Sequence, residues 1–259
     1  MDKKFVLLSG LPRTGSTLLA NILAQNSRFH LEGNSGLCQL MWDTQHSCNH
    51  NCAEQLKANK KHERVRQSIL TRLPHLYYED VDKPVVFDKC RTWSLQANME
   101  IAQRYIGKGT KTIIMYRPVD EIVISYMRLH PKEKQEEACA YILKQGSELL
   151  MRPLAGLLNI TEYAMYVSYT DLIEEPEDTL QRIYSFIDEP YQSHQLSNIP
   201  MLVEEEDNAY VVPNMHKIRQ SIERKEYKIT LPTWAKQICS ELNSLVTQKI
   251  KGEFNGTFC

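Results

Sequence analysis

The chain has 259 residues, 42% of them hydrophobic and 24% charged, with a formal net charge of −1. That length fits one large domain or two small ones, and an α/β domain of this size buries enough surface to fold without disulfides or metal. The near-neutral balance excludes a general attraction to nucleic acid or to an anionic membrane, so any anion site has to be a local cluster of cations.

Taken in chain order, residues 3–9 read as a buried strand. The run is cut off by Ser9, Gly10 and Pro12, too early for a signal peptide or a membrane span, which leads us to expect a cytoplasmic protein. Residues 17–26 have helical apolar spacing. Residues 84–88 form a short β-branched run, 92–106 read as helix, and 111–116 as a further strand closed by Arg117 and Pro118. Helices are expected over 119–128 and 133–151, a strand over 164–169, and helices over 176–187 and 232–251. Strands that alternate with helices predict an α/β fold of the P-loop type, three layers deep, with a central parallel sheet flanked by helices. Two polar stretches, 38–75 and 191–227, break the pattern and read as substrate or lid insertions in a single domain spanning 1–259. Seven cysteines, an odd number, read as free thiols. The sequons at Asn159 and Asn255 read as chance, and the one-residue gaps of His46, Cys48, His50 and Cys52 do not match a zinc site, so no metal is expected.

The chemistry concentrates at residues 9–17, SGLPRTGST, between the first strand and the first helix. Helix-start amides and the helix dipole make such a turn an anion site, and Gly10 and Gly15 let a phosphate approach the backbone. Gly10, Gly15 and Thr17 keep the spacing of the nucleotide-triphosphatase loop, but Ser16 replaces its lysine, which argues against ordinary ATP or GTP hydrolysis. Arg13 offers another cation.

The stretch GLPRTGSTLL from Gly10 resembles the 5'-phosphosulfate loop of sulfotransferases that use 3'-phosphoadenosine-5'-phosphosulfate (PAPS). Among these it is closest to the tyrosylprotein sulfotransferases and their bacterial relatives. The resemblance implies that Pro12, Arg13, Thr14, Gly15, Ser16 and Thr17 cradle the 5' end of the nucleotide. It makes Arg117 and Ser125, eight residues apart across a strand end, the holders of the 3'-phosphate. Tyr169, Lys217 and Arg219 are implied further nucleotide contacts, and Lys89, after VVFD, a cation for the transferring group beside Arg13. The base of the tyrosylprotein enzymes is a glutamate shortly after the first helix. Glu32 lies in that stretch, but a gapless match puts Asn34 at the position, and His30 and His46 stand as fallbacks.

The expected partners are PAPS, its product 3'-phosphoadenosine-5'-phosphate (PAP), and an acceptor hydroxyl on a small metabolite, carbohydrate or peptide. No nucleic acid or membrane is expected, and a homodimer is left open. Two other readings stay open on sequence grounds. One is a degenerate P-loop kinase or NTPase with Asp88 holding magnesium; the other is a nucleotide-binding module without catalysis.

Overall fold

The apolar runs become five parallel strands in a computed structural model that describes residues 3–159, 163–203, 205–206, 221–223 and 228–253. They are β1 Lys4–Gly10, β2 Phe29–Leu31, β3 Val85–Lys89, β4 Lys111–Tyr116 and β5 Ala164–Ser168, ordered β2-β3-β1-β4-β5. From β1 the chain goes out to the edge strand β2 and comes back to lay β3 between them, then crosses to the other side through β4 and β5. In open α/β sheets such a reversal opens a crevice at the carboxyl ends of the strands.

Successive side chains on a strand point to opposite faces, and this pleat sorts the core into two halves. Phe5, Leu7, Val86 and Ile114 face one layer, and Val6, Leu8, Val85, Phe87, Ile113 and Met115 the other. Both faces are covered, which suits a parallel sheet. The second face takes the buried side of α1 (Ser16–Leu23), through Leu19, Ile22 and Leu23. The first carries most of the remaining helices. α2 (Leu37–His46), α3 (Ala53–Ala58) and α4 (His62–Tyr77) occupy the polar stretch 38–75, and Leu37, Cys38, Met41 and Leu70 bury themselves in the first core half.

α5 (Gln96–Ile101) runs into a π-helical turn at Ala102–Ile106, so the helix expected over 92–106 is assembled from shorter pieces after a 3₁₀ turn at Arg91–Ser94. α6 (Val119–Met127) follows β4. The helix expected over 133–151 is divided into α7 (Gln135–Leu143) and α8 (Met151–Asn159), with Gly146 at φ +75° between them. α9 (Tyr169–Glu174) begins directly on β5, capped by Ser168, whose hydroxyl accepts from the amides of Thr170 and Asp171. α10 (Pro176–Phe186) opens with proline in its first turn and buries Leu180, Ile183 and Tyr184 on the α1 side. α11 (Thr233–Ile250) returns to the opposite layer through Ala235, Cys239, Leu242 and Val246. No helix among the described residues is long and apolar enough to cross a membrane.

Candidate active site

Gly10 leaves β1 at φ +139°, and a Cβ there would stand 2.2 Å from the carbonyl oxygen of Met115 on β4. Only glycine lets the loop cross so near its neighbour. Arg13 sits at φ +60°, a left-handed conformation that costs a non-glycine residue on the order of 1 kcal/mol. Arg117 holds that backbone in place, its Nη1 donating to the Arg13 carbonyl at 3.3 Å. Thr14 is fully buried and closes the bend by donating from Oγ1 to the Leu11 carbonyl at 2.8 Å. Gly15, at φ +79°, caps α1 without a side-chain hydrogen bond, and no acidic residue lies in the first turn. The positive end of α1 is thus left without a carboxylate of its own in that turn. Tyr169 closes the back of the loop. A Cβ on Gly15 would lie 2.9 Å from its ring, and the Arg117 guanidinium stacks 4.1 Å above the same ring.

The pleat decides which of Asp88 and Lys89 serves the loop. Parallel register sets Leu7 beside Asp88 and Leu8 beside Lys89. Leu7 belongs to the core half away from α1 and Leu8 to the half beneath it. Lys89 accordingly reaches the α1 side, where Nζ donates to Thr17 Oγ1 at 3.2 Å and to Glu205 Oε2 at 2.8 Å. Burial pushes its pKa down, and Glu205 opposes that shift. Asp88 points the other way, completely buried. Its Oδ2 accepts from Ser35 Oγ at 2.6 Å and Tyr78 Oη at 2.7 Å, and its Oδ1 from Trp93 Nε1 at 2.5 Å. Desolvation raises its pKa despite these donors. With both oxygens engaged in the core, Asp88 is a structural hub and not the magnesium ligand that a kinase or NTPase would require.

Around the loop opens a cleft of about 160 Å³, continuous with solvent. Arg13, Lys89, Arg91, Arg117 and Arg128 all line it, five cations in a chain of net charge −1. The family model that fits this chain is that of the sulfotransferase family, over residues 6–193. The chain belongs to the sulfotransferase family. Its match spans β1 to the end of α10, and so includes the whole loop and the cationic cleft apart from the later segments. Solved sulfotransferase domains share the architecture. The domain from the Synechococcus PCC 7002 olefin synthase superposes with a TM-score of 0.59, over 95% of each chain, at 16% identity. The domain from the curacin biosynthetic pathway gives 0.54, covering 93% of this chain and 98% of its own, also at 16% identity. At that identity they speak for the fold alone. No curated protein matches significantly in sequence.

Within this sulfotransferase cleft the structure gathers most of the residues singled out from the sequence. Pro12, Arg13, Gly15, Ser16 and Thr17 line it, as do Lys89, Arg117, Ser125 and Tyr169. The loop and the Arg117–Ser125 segment are joined directly, since Arg13 Nε donates to Ser125 Oγ at 3.3 Å. Arg117 also holds Glu121, through Nε at 2.9 Å and Nη2 at 2.8 Å. With the bond to Arg13 this commits three of the five N–H donors of a guanidinium and leaves two for a ligand. Thr14 does not line the cleft, its side chain being turned inward.

Glu32 is not brought to the cleft. It continues β2, where His30 pairs with Val86 on the layer away from α1, and by alternation position 32 lies on that same face. Its Oε1 accepts from Tyr78 Oη at 3.2 Å, and its Oε2 lies 3.5 Å from His30 Nε2. The expectation of Glu32 as base is corrected on this ground. His30 sits with it, and His46 stacks on His50 with ring centroids 4.5 Å apart; neither lines the cleft. Among the described residues no three His, Cys, Asp or Glu side chains group as a metal site. Lys217 and Arg219 lie outside the described residues. Arg91 and Arg128 in the cleft, and the carboxylate of Glu205 that reaches Lys89 behind its lining, escaped sequence reasoning. Arg128 was within reach, because it stands three residues after Ser125, one turn along α6.

Proposed function

We propose that the cleft binds PAPS and that the enzyme moves its sulfuryl group to an acceptor hydroxyl of a small metabolite, carbohydrate or peptide. The observation that carries this reading is the convergence of five cations on a strained loop at the start of α1, in a chain with no overall positive charge. A nucleotide with a 3'-phosphate and a 5'-phosphosulfate is a ligand of high negative charge concentrated at two ends. Ser16, Thr17 and the first amides of α1 take the 5' end, with Arg13 beside them. Arg117 and Ser125 take the 3'-phosphate, and Arg128 adds a further cation on the same helix.

The reaction is an in-line displacement at sulfur. The acceptor oxygen forms a bond to sulfur as the bond from sulfur to the 5'-phosphate oxygen breaks, and the electron pair leaves with PAP. Lys89 and Arg13 neutralise the charge that gathers on the bridging and sulfuryl oxygens. The cleft holds donor and acceptor in line, which removes much of the entropic barrier. No divalent ion is called for when fixed ammonium and guanidinium groups do this work.

Thermal unfolding with titrated ligand tests the reading. PAP is expected to raise the melting temperature in a chelator, with no comparable rise from Mg-ATP. Arg117→Ala should weaken PAP binding by about 10-fold or more, the order expected for losing a charge-assisted pair. Equal stabilisation by Mg-ATP, or an Arg117→Ala protein with unchanged PAP affinity, would overturn the assignment of the cleft or of its arginine.

A further inference from the structure

Sulfuryl transfer to a hydroxyl needs a group to take the acceptor's proton, and Glu32 faces away from the cleft. We infer that Glu205 is that general base, an assignment that rests on the PAPS-dependent transfer proposed above.

Glu205 reaches the site from a segment far along the chain and on the opposite side of β2 from Glu32. Its Oε2 lies 2.8 Å from Lys89 Nζ. Its Oε1 accepts from the Asn34 amide at 2.8 Å and from Asn34 Nδ2 at 2.7 Å. Position 34 is the one at which the sequence puts asparagine where the tyrosylprotein enzymes have their base; here that asparagine holds a carboxylate supplied by another segment. The side chains of Lys89 and Glu205 are only 6% and 5% exposed. Burying both charges costs several kcal/mol per ion before their attraction is counted, so the pair is not a casual surface contact.

Two further features are fitted to Glu205. Gly33 clears its path, since a Cβ at that residue would fall 2.0 Å from Glu205 Cγ. Asn21 mounts the segment, its Oδ1 accepting from the amides of Leu202 at 2.7 Å and Val203 at 2.9 Å. Asn21 is fully buried on α1, the helix that starts at the oxyanion loop. The carboxylate is therefore anchored to the same helix that receives the donor.

The chemistry follows from this placement. Lys89 has three N–H donors; Thr17 and Glu205 take two, and the third is available to a sulfuryl oxygen. A sulfuryl group held by Lys89 then lies one hydrogen-bonded step from the Glu205 carboxylate. As the acceptor O–H bond breaks, its proton passes to a Glu205 oxygen while the O–S bond forms. The S–O bond to the 5'-phosphate breaks, PAP departs with the electron pair, and the carboxylic acid later releases its proton to water.

Glu205→Gln preserves the Oε1 acceptor for Asn34 but removes both the basicity and the charge partner of Lys89, so two acceptors of different ionisation are needed to separate the two effects. PAPS consumption would be followed at about pH 8 with phenol, which is protonated there, and with 4-nitrophenol, which is largely ionised. PAP binding would be measured in parallel by calorimetry. The variant should lose about 100-fold or more in transfer to phenol and in PAPS hydrolysis, while transfer to 4-nitrophenolate and PAP affinity stay within about 3-fold. Gly33→Ala, which displaces the carboxylate, should show the same selective loss, and Glu205→Asp should recover part of it. Wild-type transfer to phenol by the Gln variant, equal loss with both acceptors, or tighter PAP binding with faster turnover would each overturn the assignment; the last would make Glu205 a latch on Lys89. A wild-type enzyme that binds no PAP or consumes no PAPS would defeat the parent proposal instead.

Discussion

Two neighbouring residues, Asp88 and Lys89, send their side chains to opposite sides of one strand. Asp88 is a buried carboxylate whose pKa is raised by desolvation. The protonated form is favoured by folding, so its contribution to stability is complete below the ordinary carboxylate range and is lost as pH rises through the raised value. Asp88→Asn should remove that loss. An amide can keep its oxygen on Trp93 Nε1, and the hydroxyls of Ser35 and Tyr78 can turn to accept from its nitrogen. Denaturant midpoints are expected to fall as pH rises above the ordinary carboxylate range in the wild type and to change less in Asp88→Asn. Asp88→Ala, which orphans the indole N–H, should be less stable than either by about 1–3 kcal/mol. Equal pH slopes in wild type and Asn variant would show that Asp88 does not titrate in this way. The turn between β1 and α1 was legible because Gly10, Arg13 and Gly15 shape it through local backbone geometry. Glu32 was misjudged because proximity in sequence says nothing of the face on which a side chain emerges. Alternation carried on from Phe29 would have placed it with Asp88.

Helix α1 does two jobs. Its first turn meets the oxyanion loop, and Asn21 on its buried side grips the backbone at Leu202 and Val203. Asn21→Ala would strip two amides of their acceptor and loosen the segment that delivers Glu205. The expected result is a stability loss of about 1–3 kcal/mol, with turnover reduced more than PAP affinity. Chemical denaturation and paired measurements of kcat and PAP binding check this, and a variant weakened only in PAP binding would contradict it. Strands with apolar runs and helices with turn residues at their ends were readable. β2 was not, because Phe29–Leu31 is too short to show a period. The break between α7 and α8 was also missed, although residues 144–148, KQGSE, hold no apolar side chain and include Gly146 at positive φ. The contact between Asn21 and residues 202–203 joins distant parts of the chain, and no local pattern encodes such a pairing.

Over the whole molecule the five cleft cations are set against a formal charge of −1, so the remainder of the chain is net negative. An approaching polyanion is repelled by most of the surface and drawn to one mouth. Its association rate should therefore fall as salt rises, most steeply up to about 0.1 M where the screening length is about 10 Å. Stopped-flow binding of PAP over a salt series tests this, and a rate indifferent to salt would mean the cations act only after contact. The parallel sheet and its helical layers were legible as a pattern of alternating elements, whereas the order β2-β3-β1-β4-β5 required the structure. That order also has a temporal side. Most of the described residues that line the cleft, from Leu8 to Ile173, are synthesised before Glu205, and only Ser221 and Glu223 after it. On the proposed chemistry, a chain emerging from the ribosome gains most of the residues that would hold the labile phosphosulfate anhydride ahead of the carboxylate that would make an attacking hydroxyl reactive, which arrives only in the last fifth of the polypeptide.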